Sequence, residues 1–140
     1  MQFGYFAADY FGDYRLRSAF WFQGNLKGAI TAAVAAIDRS AQKADVWLDQ
    51  DVKLIDRYWR FHLAEMGRSE LAPRVRVLTP EQIKVEPVPA GTVLIVPALD
   101  DGLKTLAESR GMTLIATATD PGDDPHGPDD QPSYLVFERR

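Results

Sequence analysis

The sequence contains no cysteine, which excludes a disulfide-stabilised scaffold, a thiolate zinc site and a cysteine nucleophile. It also lacks a run of the roughly 20 apolar residues that a membrane-spanning helix needs, since its longest apolar stretches are Gly28–Ile37 and Pro87–Leu99. The formal net charge is -4, so a nucleic-acid-binding surface is not expected. A signal peptide is not predicted either, because the N-terminus is aromatic and carries Asp9 and Asp13.

The chain has the composition of one ordinary soluble domain, with 140 residues, 46% of them hydrophobic and 26% charged. No internal repeat or linker divides it, so we predict a single domain over residues 1–140. The excess of acidic residues lies in the second half, where the stretch Asp120–Pro132 is rich in proline, glycine and aspartate. This composition predicts an exposed acidic loop, because proline removes hydrogen-bond donors and like charges repel one another into water.

Aromatic residues are concentrated at the N-terminus, which has nine of the fifteen in the chain within its first 22 residues. Such a segment cannot leave its aromatic surface in water without a partner. Two interpretations remain open for this aromatic-rich segment, residues 1–24. It folds over the core of the domain, or it faces an apolar partner outside this chain.

From residue 25 onward the hydrophobic pattern alternates between helices and strands. Apolar residues from Leu26 to Ile37 recur at helical spacing after the N-cap residue Asn25, and a second helical stripe runs from Val52 to Met66, ending at Gly67. The predicted strands are Ala44–Leu48, Arg74–Leu78, Thr92–Val96, Thr113–Thr119 and Ser133–Glu138. This order predicts an α/β three-layer sandwich with a mostly parallel five-stranded sheet, its last strand antiparallel.

Polar residues follow the predicted strands, where parallel sheets bind ligands beyond their carboxyl ends. They are Asp49 and Asp51 after the first strand, Thr79 after the second, Asp100 and Asp101 after the third, and Asp120 after the fourth. Such a rim of oxygens is suited to a hard divalent cation or to sugar hydroxyls, which would make the chain a stand-alone binding module. The alternative is that these residues are helix N-caps. Asp49 or Asp51 would then cap the second helix, and Asp100 or Asp101 would cap a third predicted helix that runs through Leu103 and Ala107. Thr79-Pro80-Glu81-Gln82 has the pattern of a capping box.

The same rim residues, together with Lys84, resemble the four motifs of haloacid-dehalogenase-type phosphatases. That resemblance implies that Asp49 is the nucleophile, that Asp51 is the acid/base and that Lys84 steadies the phosphoryl group. It further implies that the paired acids at 100 and 101 hold magnesium. The chain departs from the pattern because it lacks the flap after the first motif, and because the spacing from threonine to lysine is too short for separate strands.

The segment from Asp9 to Gly24 resembles a second family, the polytopic membrane glycosyltransferases of the family-39 type. In these proteins the last membrane helix is followed by the aromatic pattern YF-x-DYxxRSAxxFQxG and then by a helix beginning xxAI. The matching residues here are Tyr10-Phe11, Asp13-Tyr14, Arg17-Ser18-Ala19, Phe22-Gln23-Gly24 and Ala29-Ile30. Arg15-Leu16 replaces the proline region that is usual there. The later strands PAGTVLIVP and PSYLVFER are similar too.

This second resemblance implies an extracytoplasmic, noncatalytic domain at the C-terminal end of a transferase that uses a lipid-phosphate sugar donor. The membrane-embedded part of the same parent chain would be its partner, with a saccharide acceptor as a further one. The docking face would be shaped by Tyr10, Tyr14, Arg17, Phe22 and Gln23. On this reading we expect no catalytic residue, metal ion or cofactor in the chain itself. An aromatic belt where a chain leaves a membrane interface is a recurring arrangement.

Overall fold

A computed structural model of the chain describes residues 25–40, 45–52, 54–120 and 131–140. Within them the chain forms α-helices, strands and a short 3₁₀ helix, Ser69–Arg74. The α-helices are α1 (Leu26–Arg39), α2 (Ile55–Glu65), α3 (Pro80–Val85) and α4 (Asp101–Ser109). The strands are β1 (Val46–Asp49), β2 (Val75–Leu78), β3 (Val93–Pro97), β4 (Met112–Asp120) and β5 (Gln131–Arg139).

The strands form one five-stranded sheet in the order β2-β1-β3-β5-β4. β1 is parallel to both of its neighbours, with Val46 opposite Val75 on one side and Val93 on the other. β5 is antiparallel to β3 and to β4, so it is the one strand in the described sheet that runs against the others. The predicted α/β sandwich with a mostly parallel sheet and an antiparallel last strand is therefore confirmed.

Two separate hydrophobic cores cover the two faces of the sheet. Successive residues of β1 alternate between them, because side chains of a strand point to opposite faces. Val46 and Leu48 pack with α1 and α2 in the first core. Trp47 packs with α3 and α4 in the second core. Since both faces are covered, the short inner strands are apolar throughout rather than alternating with polar residues.

Helix α1 lies against the sheet along a face of small residues. Its N-cap is Asn25, whose side chain accepts a hydrogen bond from the backbone N–H of Gly28, as the sequence predicted. Ala29, Ala33 and Ala36 on this face are completely buried. The short side chains allow the helix to approach the sheet closely, and α1 contacts β3, β4 and β5. This helix is therefore the main cover of the first core.

Helices α1 and α2 meet where α1 begins and α2 ends. The ammonium of Lys27 lies 3.5 Å from a carboxylate oxygen of Glu65. One turn further along α1, the hydroxyl of Thr31 donates a hydrogen bond to the sulfur of Met66, at 3.7 Å. The start of α1 is therefore held against the C-terminal turn of α2. Gly67 then stops the chain from continuing as a helix, with a φ of 68° that favours glycine.

The start of α2 differs from the expectation that Asp49 or Asp51 caps it. Asp49 belongs to β1, and the helix begins after Leu54, which has a left-handed φ of 58° and no side-chain cap. The chain needs these intervening residues to turn from the strand onto the face of the sheet. An aspartate directly after the strand is too early in the chain to reach the first free amides of the helix.

The strands on either side of the predicted acidic loop are longer than expected. β4 extends to Asp120 and β5 begins at Gln131, so both ends of the predicted loop Asp120–Pro132 belong to the sheet. Backbone pairing across the two strands, from Met112 opposite Arg139 to Asp120 opposite Gln131, explains the extension. The remainder of the loop, 121–130, lies outside the described residues.

Candidate functional site

The connections of β1 and β3 change direction at the carboxyl ends of the parallel strands. The chain leaves β1 through α2 on one face of the sheet and leaves β3 through α4 on the other. The loops that follow β1 and β3 therefore leave the sheet towards opposite faces. In open α/β sheets this switch of direction is where ligands bind. Asp49 lies at the end of β1, Asp51 in the turn after it, and Asp100 and Asp101 at the start of α4, so all four follow the strand ends as the sequence predicted.

Asp49 is a buried carboxyl group at this position. It ends β1 and is only 2% exposed. One of its carboxylate oxygens accepts a hydrogen bond from the backbone N–H of Asp51, at 3.0 Å. Burial raises the pKa of Asp49, because a carboxylate loses its hydration there. The hydrogen bond from Asp51 opposes that rise in pKa, while the negative charges of Asp51, Asp100 and Glu81 add to it.

The phosphatase hypothesis requires Asp49 to attack a phosphoryl group as an ionised, accessible carboxylate. The strand order does place Thr79 and Asp100 on either side of it, after the two neighbours of β1. However, Asp49 is almost completely buried and its pKa is raised rather than lowered. Both properties oppose its action as a nucleophile.

Two other polar residues of the rim, Asp100 and Thr79, cap helices. Asp100 accepts a hydrogen bond from the backbone N–H of Leu103 at 2.9 Å. The hydroxyl of Thr79 accepts one from Gln82 N–H at 3.1 Å, and the side chain of Gln82 accepts one from Thr79 N–H in return. The capping interpretation is therefore confirmed for Thr79 and Asp100. Asp51 and Asp101 are exposed.

The N-terminal segment joins the described structure at this same edge of the sheet. The side-chain amide of Asn25 donates a hydrogen bond to the carbonyl oxygen of Thr119 near the end of β4, at 3.0 Å. The backbone N–H of Asn25 donates to the hydroxyl of Ser133, which in turn donates to the carbonyl of Ala118. Residue 25 is thus held at the carboxyl end of β4. The predicted docking residues Tyr10, Tyr14, Arg17, Phe22 and Gln23 lie outside the described residues.

Two exposed leucines at this edge were missed by the sequence analysis. Leu99 follows β3 and is 93% exposed, and Leu54 precedes α2 and is 54% exposed. A single leucine in a turn has no periodicity, so the pattern around it carries no signal. Both leucines follow the ends of parallel strands, so they add apolar surface to the loops there.

An apolar groove on the outer side of α2 was also missed. It has a volume of about 310 Å³ and is lined by Leu54, Arg57, Tyr58 and Phe61. These residues are three and four positions apart, so they share one side of the helix. The buried stripe of the same helix, which includes Trp59, has an equally regular spacing. The sequence therefore contains both stripes but does not show which of them faces the core.

Comparisons with known proteins give no match for this chain. It matches no protein-family model, no curated protein sequence and no solved structure. None of the helices in the described ranges is long and apolar enough to cross a membrane. Across the same ranges, no group of three or more acidic, histidine or cysteine side chains is arranged to hold a metal ion.

Proposed function

We propose that this chain is a noncatalytic accessory domain of a membrane glycosyltransferase that uses a lipid-phosphate sugar donor. The domain works on the extracytoplasmic side and docks on the membrane-embedded part of the parent chain, where it contacts the saccharide acceptor. Its docking face is formed by Tyr10, Tyr14, Arg17, Phe22 and Gln23. The observation that carries this proposal is the aromatic pattern of residues 9–24, which resembles the family-39 type and leads directly into Asn25.

The position of Asn25 supports a docking role for the carboxyl edge of the sheet. Its hydrogen bond to Thr119 holds residue 25, the first one after the aromatic-rich segment, at the carboxyl end of β4. The exposed side chains of Leu99 and Leu54 follow β3 and β1 in the chain, after the carboxyl ends of these strands. Exposed apolar side chains, in a domain that follows an aromatic-rich segment in the sequence, are suited to contact with another protein surface or with the membrane interface.

The capping hydrogen bonds of Thr79 and Asp100 support an accessory role as well. Each of these side chains accepts a hydrogen bond from a free backbone amide at a helix start. Thr79 accepts it from Gln82, and Asp100 accepts it from Leu103. Residues that stabilise helix starts serve the fold of the domain. These two residues of the rim therefore contribute to the stability of the domain.

The first experiment is to sequence the native gene upstream of the codon for Gln2. We expect it to encode hydrophobic segments of about 20 residues, the length that crosses a bilayer. A stop codon and a ribosome-binding site directly upstream would contradict the proposal. The magnesium phosphatase would then be tested next, by a hydrolase assay of the chain with magnesium and of its Asp49→Asn variant.

A second experiment tests the docking face in the parent transferase. We expect Tyr14→Ala and Arg17→Ala to lower sugar transfer at least tenfold while the protein remains at its normal level in the membrane. Glu108→Ala, an exposed position on α4 on the opposite face of the sheet from α1, is the matched control. Equal activity of all three variants would rule out a docking role for these residues.

A further inference from the structure

Strand β4 is an edge strand that pairs on one side only within the sheet that the structure describes, with β5. It is nine residues long, whereas β2 at the other edge has four. Thr113, Leu114 and Thr117 are exposed along it, and Leu114 is 43% exposed. An edge strand presents a row of unpaired backbone N–H and C=O groups, which is the surface that another strand recognises.

The sequence of β4 has few of the features that keep an edge strand from pairing. Such edges are usually short, charged or interrupted by proline, or they contain a bulge. Residues 112–119 include no charged residue and no proline, and every second one is β-branched, which favours a strand. The protection that remains is a bulge at Ile115, where the pairing with β5 shifts between Leu114 and Ala116.

This bulge gives the two halves of β4 the same order of faces. Ile115 and Ala116 are neighbours in the chain, yet both pack against the first core. Leu114 and Thr117, on either side of them, are opposite residues of β5 that belong to the second core. Because side chains alternate again beyond these positions, the order of faces is the same in both directions from the bulge.

We propose that β4 pairs with β4 of a second copy of the chain in antiparallel order, around a two-fold axis between Ile115 and Ala116. In this register Leu114 of one copy is opposite Thr117 of the other, and every pair of opposite residues lies on one face of the sheet. A slip by one residue would pair side chains from opposite faces. The dimer joins two sheets into one, and it is independent of the proposed transferase role.

The bulge favours a second copy over any other strand as the partner. The side chains of a regular strand alternate at every residue, so such a strand does not match β4 at Ile115 and Ala116, where two successive side chains lie on one face. A second copy has the same bulge at the same place. Identical surfaces that meet around a two-fold axis form a closed dimer, which leaves no free edge on either β4.

Charge complementarity at the ends of β4 supports the antiparallel order. The guanidinium of Arg139 donates a hydrogen bond to the carbonyl oxygen of Gly111 at 3.0 Å, directly before β4. Arg139 forms no ion pair with a carboxylate elsewhere in the described part of the chain. In the proposed register Gly111 is opposite position 120 of the second copy, which is an aspartate and the one charged residue of β4. A parallel arrangement would instead bring the two arginines together.

Sedimentation velocity of the purified chain over a range of concentrations is the first test. We expect a reversible dimer, with twice the 15.7 kDa mass of the chain. Near-ultraviolet circular dichroism of the buried Trp47 and Trp59 checks that each variant described below is folded.

Paired charges test the register. Leu114→Lys/Thr117→Lys puts lysines directly opposite each other twice in the dimer. We expect this variant to raise the dissociation constant of the dimer at least about tenfold, because like charges across a strand pair repel each other. Leu114→Lys/Thr117→Glu places opposite charges at the same positions and should restore the dimer. Val77→Lys, at an exposed position of the other edge strand, β2, is the matched control and should leave the dimer unchanged.

A disulfide tests the pairing directly, because the native chain has no cysteine. In Leu114→Cys/Thr117→Cys, each cysteine at 114 is opposite the cysteine at 117 of the second copy, so oxidation should give a covalent dimer. Within one chain these two positions are too far apart along the strand for a bridge. Leu114→Cys and Thr117→Cys alone are the controls, and their dimers should stay noncovalent.

Three results would overturn the proposal. One is a chain that stays monomeric at every concentration. Another is a dimer that the two lysines leave intact, which would assign the contact to a different surface. The third is that a single cysteine crosslinks the dimer as well as the pair does, which would mean that the two strands run parallel or are shifted.

Discussion

Asp49 illustrates how the role of one residue depends on where its strand ends. The residue follows three apolar residues and is followed by a polar turn, a pattern shared by helix caps and catalytic acids. In the folded chain it is the last residue of β1 and is buried between the neighbouring strand ends. The negative charges of Asp51, Asp100 and Glu81 are near enough to raise its pKa further. Its ionised form is therefore disfavoured by folding.

We expect Asp49→Asn to stabilise the protein at neutral pH. The pKa of Asp49 is raised in the folded state, so the unfolded chain ionises first as the pH increases from the ordinary value of 3.8. The free energy of unfolding of the native chain then falls until the pH passes the raised pKa. Asparagine keeps a side-chain oxygen that accepts the hydrogen bond from the backbone N–H of Asp51. Because asparagine cannot ionise, the free energy of unfolding of the variant does not fall in this way as the pH increases.

Urea unfolding of both proteins at pH 3.5 and at pH 7 measures this effect. The free energy of unfolding of Asp49→Asn should exceed that of the native chain at pH 7, and this difference should vanish at pH 3.5. Asp45→Asn, at an exposed position before β1, is the control and should show no comparable gain. A loss of stability in Asp49→Asn at pH 7 would instead mean that the ionised carboxylate has a stabilising partner.

At the scale of secondary-structure elements, three of the described α-helices begin at a side-chain cap and one does not. Helices α1, α3 and α4 begin at capping side chains, Asn25, Thr79 and Asp100. A guanidinium supports the other end of α3, where Arg110 donates hydrogen bonds to the carbonyls of Ile83, Lys84 and Glu86. Helix α2 has no side-chain cap. Its position follows from its packing on the first core.

We expect Asp100→Ala to destabilise the protein by about 1 kcal/mol, the usual cost of removing an N-cap side chain. Asp100→Asn should be as stable as the native chain or more stable, because the amide oxygen still caps Leu103 and a negative charge near Asp49 is removed. Guanidinium unfolding of the three proteins provides the comparison. Equal destabilisation by alanine and asparagine would mean that the cap is not what Asp100 contributes.

At the scale of the whole molecule, stability depends on how closely the helical layers approach the sheet. The first core is covered by α1, which crosses three strands with an alanine face. Protein interiors are close-packed, so a larger side chain between helix and sheet must move one of them. The second core is made by shorter helices and larger side chains, among them Trp47 and Phe137.

Ala33→Leu should therefore destabilise the protein by about 1–3 kcal/mol through overpacking. Ala33 is completely buried against the sheet, whereas Ala35 is exposed on the same helix. Ala35→Leu is the matched control and should change the free energy of unfolding by less than about 0.5 kcal/mol. Thermal and urea unfolding measure both. A neutral result for Ala33→Leu would show unfilled space between α1 and the sheet.

Much of the fold could be predicted because its signals are local. The stripe of α1, the capping box at Thr79 and the continuous apolar run of β3 each depend on residues within a few positions of one another. The carboxyl rim could be predicted as well, since parallel strands bring their ends together. The groove on α2 could not, because the pattern of Tyr58 and Phe61 does not say which of two apolar stripes faces the core.

The sequence by itself determined the class of fold, the antiparallel last strand and the side chains that start two of the helices, Asn25 and Thr79, and it left the cap of α4 open between Asp100 and Asp101. Only the tertiary structure decided that Asp49 is buried, that α2 starts at Leu54 and that Asn25 is tied to the end of β4. The physical reason is the range of the interactions. Propensity, capping and periodicity act between near neighbours in the chain, whereas burial and close contact depend on residues that only folding brings together.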